Sequence, residues 1–178
     1  MRVLFVLLTG GRKLSLSESR RDALSAAYDS YSDMLFRVAL AQLGNAEDAM
    51  DAVHDVFLKY HDNKVSFNDA EHERAWFIRA TVNRCHDIFR HKAVRNHLTL
   101  EDAEHLTADS SDGDSVAQLY RALEQIPEKY RAAVTLHYLE GFSVEEISDM
   151  LRISVSGVKM RLARGRDALR NYIEKEEN

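Results

Sequence analysis

A chain of 178 residues can form one domain of ordinary size or two small ones. With 45% apolar and 30% charged residues, one proline and seven glycines, it has the profile of a soluble, mostly helical protein. The single cysteine, Cys85, excludes an internal disulfide framework and is expected as a small core residue, and the net charge of −5 argues against a protein that coats nucleic acid indiscriminately.

Met1 to Leu8 is apolar but interrupted by Arg2, and Gly10-Gly11-Arg12-Lys13 follows where a targeting signal would carry a small-residue cleavage site. Residues 1–18 are therefore read as an N-terminal extension, too short in its apolar part to enter a membrane. The first helical pattern runs over about 19–43, with Leu24, Tyr28, Tyr31, Leu35 and Val38 at three- and four-residue spacing. Gly44 ends it and Asn45 is placed to cap a second helix over about 46–60. That helix turns Ala49, Val53, Val56, Phe57 and Tyr60 inward and Glu47, Asp48, Asp51 and Asp55 outward. A polar stretch, 61–69, breaks the periodicity and reads as a loop.

A third helix, about 70–92, carries a narrow apolar stripe of Ile78, Val82, Cys85 and Phe89, widened by Thr81 and Ile88. Turned roughly opposite, at ~100° per residue, are Arg79, Asn83, Asp87 and Arg90. Trp76, at the start of this helix, is read as core. Three successive amphipathic helices predict a compact bundle over 19–95. Residues 96–115 hold Glu101, Asp102, Glu104, Asp109, Asp112 and Asp114 without a lysine or arginine, and their second half has no apolar periodicity. They are expected to form a flexible acidic linker.

Periodicity resumes at Val116 and stops at Ile126-Pro127, where Pro127 suits the first turn of a helix reaching about Leu139 and closed by Gly141. Ser143-Val144-Glu145-Glu146 is a capping-box pattern opening a helix through Leu151. Ser154 then caps a final helix running to about Ile173. The expected fold is all-α: two small helical domains, 19–95 and 116–178, on the acidic linker, the second ending in a helix-turn-helix.

The charge is unevenly placed. Arg74, Arg79, Arg84, Arg90, Lys92 and Arg95 face only Asp87 over 74–95, and Arg152, Lys159, Arg161, Arg164, Arg166 and Arg170 face only Asp167 over 152–170. Two basic surfaces joined by an acidic connector are the pattern of two separate contacts with a polyanion. On the last helix Val155, Val158, Leu162 and Leu169 can pack against Ile147 and Leu151. Its other side then presents Ser156, Met160, Ala163 and Arg164, flanked by Lys159 and Arg161. Small residues at the start of such a helix allow entry into the major groove, and basic ones meet phosphates or guanine edges. On pattern alone, an ordinary solvated charge face remains the alternative.

The runs Ile126-Pro127-Glu128-Lys129-Tyr130-Arg131, Tyr138-Leu139-Glu140-Gly141-Phe142-Ser143-Val144-Glu145-Glu146-Ile147, Ile153-Ser154-Val155 and Val158-Lys159-Met160-Arg161-Leu162-Ala163-Arg164 closely resemble the C-terminal domain of extracytoplasmic-function sigma factors. The run from Gly44 to Leu58 resembles that family's polymerase-binding helix, and Ala75 to Arg84 its helix for the minus-ten promoter element. The resemblance spans roughly 24–174. It implies a cytoplasmic, non-catalytic subunit whose partners are core RNA polymerase and promoter DNA, and many relatives also have an anti-sigma partner. It further implies that Asp48, Asp51 and Asp55 face the polymerase, that Asn83 contacts a minus-ten base flipped toward the 61–69 loop, and that the helix-turn-helix reads the minus-thirty-five element. An acidic linker in such a factor would thread the polymerase cleft and mimic RNA phosphates, the alternative being a solvated tether.

Three departures bear on promoter preference: Arg152 stands where the family usually has glycine, Gly157 where it has threonine, and His54 where glutamine is common. The competing functional readings are a conventional helix-turn-helix regulator binding operators as a dimer and an all-α adaptor that touches no DNA. No cofactor is expected. The histidines do not suggest a metal, because His72-Glu73 lacks a second histidine at zinc-helix spacing.

Overall fold

The computed structural model describes residues 18–62, 65, 67–96 and 113–176. Most of the acidic linker and of the N-terminal extension lies outside the described residues. Among the described residues every regular element is helical: α1 (Glu18–Leu43), α2 (Ala46–Asp62), α3 (Ala70–Asn96), α4 (Gly113–Glu124), α5 (Glu128–Val134), α6 (Val144–Leu151) and α7 (Val155–Glu176).

The punctuation is chemical. Gly44 adopts φ +68° and its N–H donates to the Leu40 carbonyl at 2.8 Å, ending α1 in the left-handed geometry that glycine takes without strain. Asn45 Oδ1 then accepts from the Asp48 N–H at 3.0 Å and starts α2. Asp69 does the same for α3 through the His72 N–H at 2.7 Å. Ser143 and Glu146 form the reciprocal capping box at the head of α6.

α1, α2 and α3 pack around Leu35, Val38, Val53, Val56, Phe77 and Ile78. The second domain closes around Leu123, Ile126, Leu136, Ile147 and Val158. Gly165 of α7 is buried where an added Cβ would overlap Val134 Cγ2 of α5. Cys85 is fully buried as expected, and burial pushes its thiol up to about 12, leaving it inert at physiological pH.

Two features depart from the expected pattern. The helix predicted to run to Leu139 ends as regular α-helix at Val134 and continues as a wider π-helical turn, Thr135–Leu139, in which the Glu140 N–H reaches back to the Thr135 carbonyl at 3.1 Å. This turn keeps Leu136 in the core while bringing Glu140 to the first domain, a demand the hydrophobic period does not register. The two domains are also packed together, and their buried residues join in one continuous cluster. Across this seam Arg37 makes a bidentate pair with Glu140, at 2.7 and 2.8 Å. Arg131 donates to the carbonyls of Glu124 and Ile126 in its own domain and of Gln42 at the end of α1.

Candidate nucleic-acid interface

α7 is anchored on one side and open on the other. Ser154 Oγ accepts from the Gly157 N–H at 3.1 Å, fixing its first turn, and Val158 and Leu162 are buried beneath it. Ser156, Lys159, Met160 and Arg164 consequently stand exposed, whereas Arg161 and Ala163 are half-buried at the flanks. Met160 is 48% exposed, an apolar side chain set beside the exposed Lys159. Arg152 closes α6 at φ 53° and ψ 46°, so the position where the family usually has glycine does adopt the left-handed conformation, with an arginine in it. The turn geometry survives the substitution, at a local cost in strain.

On α3, Asn83 and Arg90 are exposed, and Arg90 Nη2 donates to Asp87 Oδ1 at 2.9 Å. Arg79 corrects the expectation of a free outer face. It is half-buried, donating from Nε to the Met150 carbonyl at 2.9 Å and from Nη2 to the Asp149 carbonyl at 3.2 Å. The period set its side of α3 correctly, but α6 of the second domain covers that side. Burial and, secondarily, the nearby Arg152 lower its guanidinium pKa.

The N-terminal end of α3 carries an aromatic cluster that sequence reasoning did not assemble. Tyr31 and Tyr60 hydroxyls both donate to the Glu73 carboxylate, at 3.3 and 3.1 Å, tying α1 and α2 to α3. Tyr60 and Phe67 lie nearly parallel with centroids 6.2 Å apart, and Trp76 packs against both. Trp76 is half-buried, so it is neither a sealed core residue nor a free platform. Burial and the Glu73 hydrogen bond push the Tyr60 hydroxyl up to about 12.

The acids of α2 are not equivalent. Asp51 is exposed, Asp48 half-buried, and Asp55 Oδ2 accepts from Arg84 Nε at 2.7 Å. Met50 and Leu58, 40% and 49% exposed, add two apolar side chains to the outside of the same helix. Among the described residues no cluster of three or more His, Cys, Asp or Glu side chains is arranged to hold a metal, and no helix is long and apolar enough to cross a membrane.

A three-helix bundle is followed by a capped helix-turn-helix whose last helix turns Lys159 and Arg164 outward. Residues 27–95 match the family described as Sigma-70 region 2, and residues 117–169 that described as Sigma-70, region 4. The chain is 32% identical over 168 residues to the ECF RNA polymerase sigma factor SigW of Bacillus subtilis (strain 168), covering 86% of this chain and 90% of that one. It is 30% identical over 153 residues to the ECF RNA polymerase sigma factor SigE of Mycolicibacterium smegmatis, covering 82% of this chain and 59% of the relative. Its fold is similar to that of the sigma factor RpoE in complex with the anti-sigma factor NepR from Bartonella quintana, with a TM-score of 0.71 at 19% identity, covering 89% of this chain and 98% of that one. The chain belongs to the extracytoplasmic-function RNA polymerase sigma factors. It directs promoter-specific initiation with core RNA polymerase and has no catalysis of its own, which sets aside the conventional regulator and the adaptor.

Proposed function

We propose that the three surfaces divide the work of initiation. α2 docks on core polymerase through Asp48, Asp51 and Asp55; α3 holds the minus-ten element with Arg79, Asn83, Asp87 and Arg90; α7 reads the minus-thirty-five element with Ser156, Lys159, Met160, Arg161, Ala163 and Arg164. The observation that carries the reading is the exposed row Ser156, Lys159, Met160 and Arg164 above buried Val158 and Leu162. A helix anchored in this way can enter a major groove without disturbing its domain. The acidic row on α2 suits a basic polymerase surface, with Met50 and Leu58 supplying apolar area beside it. The factor then works where polymerase and chromosome are, in the cytoplasm. An anti-sigma factor belongs to the same reading, supported by the complex in which the similarly folded RpoE is found.

Run-off transcription with purified core polymerase tests the division. Transcription should require this chain and should fall when either promoter element is scrambled. Footprinting of a palindrome by the chain alone, with no dependence on core polymerase, would overturn it.

A further inference from the structure

Three of the described residues adopt a left-handed backbone, and only one of them carries a side chain. Gly44 and Gly141 take it without strain, at φ +68° and +75°. Arg152 takes it at φ 53° and ψ 46°, in the turn between α6 and α7, where its Cβ crowds the backbone. That turn is fixed by groups other than the arginine side chain. The Ser148 carbonyl accepts from the N–H groups of both Arg152 and Ile153, the latter at 3.1 Å, and Ser148 Oγ donates to the Ile153 carbonyl at 2.6 Å. Glycine or asparagine would close α6 in the same geometry at lower cost.

Nothing in the fold offsets this strain through the guanidinium. Arg152 is exposed, and among the described residues no carboxylate, carbonyl or hydroxyl engages its side chain. Inside the molecule its charge acts repulsively, lowering the pKa of Arg79. The benefit a cation could draw from the C-terminal end of α6 is already taken by Arg79, which donates to the Asp149 and Met150 carbonyls there. A strained cation without an internal partner, held in a rigid turn, points to a partner outside the chain. Arg152 lies two residues before Ser154, the cap of α7, and four before exposed Ser156. In a helix-turn-helix the first residues of the second helix meet base edges, so the turn ahead of it comes to the rim of the groove, where phosphates are in reach.

We propose that Arg152 is a positioning residue for minus-thirty-five recognition: its guanidinium holds one phosphate at the edge of the element and so sets the depth and register of α7 in the groove. This deepens the minus-thirty-five reading of α7 and rests on it. A planar guanidinium meets two phosphate oxygens at once, and a turn fixed by Ser148 delivers it at a set distance from Ser156 and Met160.

The test uses holoenzyme assembled from the full chain and core polymerase, bound to promoter duplexes in which single phosphates flanking the minus-thirty-five element are neutralised as methylphosphonates. Arg152→Gly and Arg152→Asn both suit the left-handed turn and remove the charge. Each should weaken promoter binding about threefold to tenfold at low salt and make its salt dependence shallower by about one phosphate contact. One methylphosphonate should weaken the parent to the same extent and cost these variants nothing more, whereas the others should affect parent and variants alike. Arg152→Lys should keep the parental salt slope. Arg152→Gly should raise the melting temperature by about 1–4 °C, so that its lost affinity does not come from a lost fold.

Variants that bind like the parent, or losses that add to those of every methylphosphonate, would overturn the contact. A lower melting temperature in both Arg152→Gly and Arg152→Asn would do so as well, by assigning the arginine to the fold. Scrambling the minus-thirty-five element in the parental complex separates the two layers. If affinity does not fall, the reading of α7 fails and takes Arg152 with it; if it falls while no methylphosphonate is coupled to Arg152, the phosphate contact alone is lost.

Discussion

Asp55 of α2 and Arg84 of α3 are joined at 2.7 Å, so one carboxylate of the proposed polymerase face is already neutralised inside the bundle. Asp51, one turn away, is exposed. Asp55→Asn should cost up to about 1 kcal/mol of stability, as expected for a pair that remains partly solvated, and weaken core-polymerase binding less than Asp51→Asn does. Asp51→Asn should leave the urea midpoint unchanged and weaken polymerase binding about threefold to tenfold at low salt, the difference shrinking as salt rises. Equal losses of affinity in the two variants would show that pairing with Arg84 does not diminish Asp55 as a polymerase contact.

Asn83 is exposed on α3 and its removal leaves no buried group unsatisfied. Asn83→Ala should retain the parental fold and polymerase affinity while reducing open-complex formation, measured by permanganate reactivity of the melted bases. Unchanged reactivity on a promoter served by this factor would remove the residue from base capture.

Arg164 stands clear of the α7 core. Arg164→Ala should cost about 1–3 kcal/mol in minus-thirty-five recognition if the guanidinium meets a base edge. A loss of the same size on scrambled minus-thirty-five sequence would reassign it to phosphate, and polymerase affinity serves as the control.

Gly165→Ala sets two effects against each other. Alanine favours a helix interior by about 0.8–1 kcal/mol over glycine. Here, however, its methyl would run into Val134, a stiff branched side chain on α5. Overpacking of about 1–3 kcal/mol should win, lowering the melting temperature. A higher melting temperature would show that α5 and α7 can part without loss.

The Tyr60 hydroxyl, raised to about 12, makes stability depend on alkaline pH. In the unfolded chain the phenol ionises near ~10. The contribution is therefore full below pH ~10 and is lost as pH rises toward 12. Urea unfolding between pH 8 and 11.5 should show this decline, and Tyr60→Phe should lack that part of the slope.

What the sequence made legible was local or periodic. Gly44-Asn45, the Ser143 to Glu146 box and the Ser154 cap involve atoms a few residues apart, and each took the geometry its residue types impose. The buried stripes of α2, α3 and α7 followed from helical period, and family resemblance supplied their roles. The seam was out of reach because Arg37 and Glu140 are 103 residues apart, and because the acceptors of Arg79 and Arg131 include backbone carbonyls, which every residue carries. Glu73 escaped notice for a similar reason: its partners are hydroxyls on two other helices, and no spacing announces a carboxylate shared by tyrosines.

The π-helical turn Thr135–Leu139 makes the meeting of the domains a matter of chain length as much as of side chains. Such a turn accommodates one residue more than a regular helix would hold. The same residues wound as regular α-helix would carry everything beyond through a further ~100° about the helix axis. Glu140 would then swing away from Arg37 with both residues intact. How this stretch is wound thus sets where the two domains meet, independently of the pair that bridges them.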